Sequence, residues 1–342
     1  MARRSRREWQ NLLARWDKAI ADAFLEAIAE VTNNVTLKAV SDALAAGDLD
    51  RAVQTLQIEG AAFRALDEAV RQAYISGAVD AAASIPVLRD GTGARVVFRF
   101  DVRAPSAEAW LREHSLTRLV EEELETIRAA LVSGMERGQN PRQAALDIVG
   151  RLDRVSNRRV GGVIGLTGPQ KHTMDWVRAG FAESDPEALS RYLGLKARDR
   201  RFDRIIEQAI SDGKLAKADA DRISGRLADR YLKLRGDMIG RTESLAALNG
   251  GRTEAFRQAA GKAGVDGMRI TRVWSATGDA RVRDSHREMD GQTVRGLNTP
   301  FVAPSGARMM HPGDSSLGAS GADVIQCRCR VNLRVDWFGG RA

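Results

Sequence analysis

Apolar residues recur at three- and four-residue steps over most of the chain, and each such run predicts an amphipathic helix. Trp9, Leu12, Leu13, Trp16, Ile20, Phe24, Ile28 and Val31 share one face of the first. After Gly47-Asp48 a second periodic segment runs from about Ala52 to Ala83 through Leu56, Phe63, Leu66, Val70 and Tyr74, and Pro86 ends it. Arg95 to Val102, bounded by Gly91-Thr92-Gly93 and Ala104-Pro105, has the composition of a short strand. Ser106 opens another helical stretch that continues through Leu116, Leu119, Val120, Leu124, Ile127 and Leu131, and Asn140-Pro141 caps the next helix. The glycine-rich stretch from Gly161 to Gln170 does not fit the dinucleotide spacing, because Gly161 and Gly162 are adjacent, nor a phosphate-binding loop, because Lys171 is followed by His172. Thr167 there predicts a helix cap. From Asp199 to Gly264 the pattern is again helical, with Phe202, Ile205, Ile206 and Ile210 on one face and Ile223, Leu227, Tyr231 and Leu234 on another.

After Gly267 the helical period disappears, lysine vanishes, and β-branched residues alternate with turn residues. The pattern therefore predicts an α+β protein: mainly helical N-terminal and middle regions, then a small β-rich module from about 268 to 338. The expected divisions are 1–105, helical with a short strand; 106–197, helical; and 198–338, a C-terminal domain of helices followed by the β-rich module.

The 342 residues suffice to bury a core without disulfide staples. No apolar run approaches the length needed to span a bilayer, so no membrane role is expected. The stretch from Met1 to Arg7 is basic, but Asp17, Lys18 and Asp22 place charges where an apolar run would have to lie, so no signal-peptide core forms and a cytoplasmic origin is expected. The net charge of +8 permits contact with a polyanion, but the basic residues are scattered and aromatics make up only 5%.

Both cysteines and two of the four histidines lie between Trp274 and Trp337. Cys327, Cys329, Val331, Leu333 and Val335 alternate with Arg328, Arg330, Asn332 and Arg334. In a strand the thiols fall on the apolar face, as two small core residues, and the arginines on the other, where Arg328, Arg330 and Arg334 are candidate DNA contacts. The alternative is a metal site: His286, His311, Cys327 and Cys329 supply the two imidazoles and two thiolates of a tetrahedral zinc site. Asp279, Asp284, His286 and Asp290 also admit an acid/base or metal cluster, but no nucleophile–base pair accompanies them. The scaffold alternative puts Asp279 and Asp290-Gly291 in turns and pairs Arg281 or Arg283 with the carboxylates.

The string W-x4-D-x-R-V-R-x-x-H-x3-D-G from Trp274 through Asp279, Arg281, Arg283, His286 and Asp290 to Gly291 carries a further signal. Together with Phe301, His311-Pro312-Gly313-Asp314 and Cys327-Arg328-Cys329, it resembles the C-terminal domain of the phage Mu protein F-like family. The resemblance extends upstream to Ile164-Gly165-Leu166-Thr167, Arg198 to Asp203, and Arg241-Thr242-Glu243 with Asn249, covering about residues 160–338. It implies a minor head protein of tailed double-stranded DNA phages, present in the host cytoplasm during assembly and then in the virion head. It further implies association with the portal, contact with scaffold or major capsid protein, an influence on DNA packaging or ejection, and weak non-specific binding of double-stranded DNA.

Two other functions stand beside that one: a DNA-binding accessory protein of the virion, and a metal-dependent or ADP-ribosyltransferase-like enzyme. The E-x-E pair Glu121 and Glu123 invites the transferase reading, since some family members carry such toxin domains. The pair is expected to sit on a solvent-facing helix without the accompanying strand, so no enzyme is expected.

Overall fold

In the computed structural model the chain is mainly helical, with short strands gathered near its C-terminal end, the α+β class that the hydrophobic pattern predicts. The structure describes residues 5–335 apart from 59, 86, 90, 91, 93, 115 and 116. Pro86, Gly91, Gly93, Leu116 and Trp337 therefore lie outside the described residues.

Helix α1 (Arg6–Asn34) is followed by α2 (Leu37–Ala45), α3 (Leu49–Thr55) and α4 (Arg64–Ala82). A hairpin of β1 (Leu88–Arg89) and β2 (Arg95–Val96) precedes α5 (Pro105–Glu113), α6 (Thr117–Glu136) and α7 (Pro141–Val149). The antiparallel pair β3 (Arg151–Asp153) and β4 (Arg158–Val160) leads to α8 (Gly168–Glu183), α9 (Pro186–Leu193), α10 (Asp203–Asp212) and α11 (Lys217–Lys262). The last stretch holds β5 (Ile270–Ser275), α12 (Asp284–Glu288), β6 (Thr293–Arg295), β7 (Phe301–Val302), β8 (Arg308–Met309), α13 (Gly321–Val324) and β9 (Arg330–Val335).

The chain forms two compact units. One comprises residues 1–23, 66–115 and 237–342; the other comprises 24–65 and 116–236. In the second, α2 packs on α3 and α7, α9 on α8 and α10, and α6 on α3, α7 and α8. Its buried apolar residues include Val40, Ile127, Leu131, Ile148, Val177 and Phe181. Two predicted caps form here. The Asn140 side chain accepts from Arg142 N at 3.0 Å, and Thr167 and Gln170 make a reciprocal capping box at the start of α8. The Arg198–Asp203 segment is locked by its own charges: Arg198 forks onto Asp203 at 2.9 and 3.1 Å, and Arg201 pairs with Asp199 at 2.6 Å.

The first unit has an apolar core that joins Trp9 and Leu13 of α1, Ala78 and Ala81 of α4, Leu245 to Ala260 of α11, and buried side chains of the C-terminal strands. Two local expectations change here. The periodic segment from Ala52 to Ala83 is two helices, because Gln57 adopts a left-handed φ of +48° between α3 and α4. The strand expected over Arg95 to Val102 pairs only at Arg95 and Val96. Beyond it Phe98 and Phe100 pack half-buried against the core, and Gln258 satisfies the Asp101 backbone, accepting from its N–H at 2.9 Å and donating to its carbonyl at 2.8 Å. The aromatic residues that suggested a strand are thus held by a helix.

Helix α11 runs unbroken for 46 residues although it contains several glycines. Two of those in the first unit are contact positions, as is Gly77 of α4: a Cβ at Gly251 would overlap the Tyr74 carbonyl, one at Gly240 the Asp17 carbonyl, and one at Gly77 the Leu248 carbonyl of α11. Backbone-to-backbone approach offsets the glycine penalty inside the helix. Gly261 is different, since nothing lies within 4 Å of an added Cβ there. Gly251→Ala is therefore expected to destabilise the protein by about 1–3 kcal/mol through overpacking, while Gly261→Ala stabilises it by about 0.5 kcal/mol. Urea unfolding midpoints check the pair, and equal shifts would contradict the close-approach account.

Candidate functional site: the polar core of the C-terminal module

Strand β5 is central in a three-stranded antiparallel sheet, between β6 and β9. Its burial alternates, so Ile270, Arg272 and Trp274 all face inward. Trp274 lies edge-on to Phe301 at 5.4 Å and to His286 at 5.2 Å between ring centroids. Arg272 is fully buried on this apolar face, and no ion pair forms on it among the described residues. Instead its guanidinium donates to three carbonyls: Nε to Gly296 at 2.9 Å, Nη1 to Met310 and Nη2 to Thr299. It also stacks over Phe301 at 5.4 Å. Burial pushes its pKa down to about 10, so it stays charged at neutral pH.

A second buried polar group comes from α11. The Asn249 side chain donates to Pro312 O at 3.1 Å and Cys329 O at 3.3 Å and accepts from Val331 N at 3.0 Å. One amide thereby covers the outer edge of β9 and fixes the His311-Pro312-Gly313-Asp314 loop. Asp314 closes that loop on itself, accepting from Met310 N at 2.6 Å and Ser316 N at 2.9 Å. Gly313, at φ +87°, packs on Leu245 and Ala246 of α11.

The reactive residues meet only in part. His286 of α12 brings Nδ1 to 3.3 Å from Cys327 Sγ and 3.7 Å from Cys329 Sγ, with all three side chains buried. The thiols are free. Burial pushes the Cys327 thiol up, while Cys329 is held below the ordinary thiol range by the hydrogen bond from Cys327 and by His286 beside it. These three donors are a set able to hold a metal ion. His311, expected as a fourth ligand, is not among them. It lies buried beside Pro312 O at 3.2 Å and lines a cavity of about 300 Å³ with Tyr74, Trp110 and His114. The Asn249 hold on Pro312 keeps its loop there. Nor do the cysteines sit in the strand ladder, which begins at Arg330; they precede it, yet both turn inward.

The motif carboxylates and arginines are structural partners, but not all in the expected pairs. Asp279 caps its own turn by accepting from Arg281 N at 3.0 Å, and its ion-pair partner is Arg328, at 2.7 and 2.8 Å, rather than Arg281 or Arg283. Arg283 donates to Ile325 O. Asp290 accepts from Ala276 N at 2.8 Å, and Gly291 takes φ +85° at the turn into β6. From α11, Arg241 donates to Gln326 Oε1 and Thr242 accepts from Gln326 N, both at 3.3 Å; Glu243, the next motif residue, is also engaged. Gln326 sits at φ +58°, and that turn delivers Cys327 to His286. The arginines named as DNA contacts do not form one exposed stripe. Arg328 is committed to Asp279, Arg330 lies half-buried over Trp9, and Arg334 is exposed.

Arg272 and Asn249 define a module built around buried polar side chains that bind backbone. Residues 201–332 match the model of the family described as phage Mu protein F like protein, so over that segment the chain is similar to this family. That similarity suggests a role in phage head morphogenesis. No curated protein and no solved structure matches the chain. Among the described residues, no helix is long and apolar enough to cross a membrane.

The E-x-E pair lies in the other unit, and its solvent-facing expectation holds only for Glu121. Glu123 is 1% exposed, pairs with Arg235 and accepts from Gly165 N at 3.0 Å. Burial raises its pKa. Nearby Lys171 is buried, and its Nζ has no hydrogen-bond partner among the described residues. Burial lowers the pKa of this amine from 10.5 to about 8. The charged form is therefore disfavoured in the fold, a cost present below pH 8 and relieved as pH rises from about 8 to 10.5. Lys171→Met is expected to raise stability at pH 7 by on the order of 1 kcal/mol, with the advantage shrinking across that window. Unfolding midpoints measured against pH check this; a less stable variant at pH 7 would contradict it.

Proposed function

We propose that this protein is a minor head component that associates with the phage portal during procapsid assembly and influences packaging or ejection of the genome. The observation that carries the proposal is the engagement of the family-motif residues inside the matched segment. Trp274, Asp279, Arg283, Asp290, Arg241 and Thr242 each hold a turn, a strand or the core of the matched segment. A motif used this way keeps a surface in shape, and a partner with repeated symmetry such as a portal ring is what a shaped surface serves. Contacts with scaffold or major capsid protein belong to the same assembly reading.

The net charge of +8 favours a second reading, in which the protein acts chiefly as a non-specific DNA-binding accessory inside the head. The two separate by experiment. Co-sedimentation of the purified protein with portal rings of the same phage is expected at physiological salt. Absence from the ring fraction, together with retention on double-stranded DNA that falls steeply with salt, would replace the portal reading with the second.

A further inference from the structure

The cluster of His286, Cys327 and Cys329 has no use in the assembly reading, and its geometry carries an inference that does not depend on that reading. Nδ1 of His286 faces both sulfurs, at 3.3 and 3.7 Å, and the three donor atoms all lie within 4.8 Å of one another. In a tetrahedral zinc site, metal–sulfur bonds near 2.3 Å and a metal–nitrogen bond near 2.0 Å put nitrogen and sulfur about 3.6 Å apart. The observed separations bracket that edge length. The surroundings add a second argument. His286 Nε2 is buried without a hydrogen-bond partner among the described residues, so the sulfurs are the polar neighbours its ring has. An imidazole and two thiols left to one another satisfy each other poorly, since S–H is a weak donor.

We propose that these three side chains bind a thiophilic divalent cation, zinc, with one coordination position left to a small exogenous ligand such as water. Among the described His, Cys, Asp and Glu residues no fourth side chain joins the cluster. Binding takes the cation in as the thiols give up their protons, and the imidazole donates from Nδ1. The ion ties α12 to the turn before β9, closing a loop between His286 and Cys327. That loop contains only strands of two or three residues and one four-residue helix. So little regular structure leaves the segment dependent on cross-links, which is where a structural ion contributes most.

The test uses the full chain, purified without chelator or metal-affinity resin. Elemental analysis is expected to find about one zinc per molecule, with both thiols shielded from a thiol reagent until a chelator is added, and with the thermal midpoint lowered by the same chelator. His286→Asn and Cys329→Ser should each lose the metal. Because a variant that fails to fold loses metal trivially, the wild-type protein stripped of metal and titrated with cobalt(II) supplies the independent measurement. A thiolate-to-cobalt charge-transfer band supports the site. Wild-type protein that gives no such band, takes up no zinc and shows an unchanged midpoint in excess zinc overturns the proposal, as does finding the two cysteines joined in a disulfide.

Discussion

The C-terminal module depends on one constraint: a backbone with little regular structure must still satisfy its buried polar groups. Helices and ladders do this with their own hydrogen bonds, but between Gly296 and Val331 the chain makes only two-residue strands, one short helix and turns before β9 begins. Arg272 and Asn249 supply the missing partners. One guanidinium reaches carbonyls at 296, 299 and 310, and one amide reaches residues 312, 329 and 331. Placing an arginine on the apolar face of a strand costs desolvation, and its fork of donors offsets that cost where a lysine's point charge would not. The alternative, unpaired carbonyls in an apolar core, costs roughly 1–3 kcal/mol per group.

This constraint explains why the family signature looks like chemistry. Acidic, basic and sulfur-bearing residues concentrate there because each closes a turn, anchors a loop end or fills the core. Asp279 and Asp290 cap backbone amides, Arg283 and Arg328 join distant stretches, and Gln326 is held at a left-handed φ by Arg241 and Thr242. Nothing in that use requires a substrate. His286 and the two cysteines are the exception, because their donor atoms face one another and not the backbone alone.

The parts of this structure that arise from local periodicity were legible in the sequence. The amphipathic faces, the Thr167 and Asn140 caps, the burial of both cysteines and the change of texture near Gly267 all depend on neighbours a few residues apart. What was not legible depends on partners far along the chain. Gly240 and Gly251 are contact points in α11, because Asp17 and Tyr74 arrive there from other helices. Glu123 is buried because Arg235 meets it, and His311 stays apart from His286 because Asn249 holds its loop. Arg272 left a faint trace, sharing the parity of Ile270 and Trp274, but burial of a charge is not read from parity without its acceptors.

Amide hydrogen exchange on Arg272→Lys compared with the wild type tests the central claim most directly, since lysine keeps the charge and loses the fork. Protected amides of the loops that Arg272 bridges, such as Ala303 and Asp314, which donate to Ala307 and His311, should exchange at least about tenfold faster, a loss of roughly 1.4 kcal/mol of local stability. Amides of α7 and α8 should be unchanged. Equal protection of the 296–314 loops in both proteins would contradict the account and show that the module is held by its apolar contacts alone.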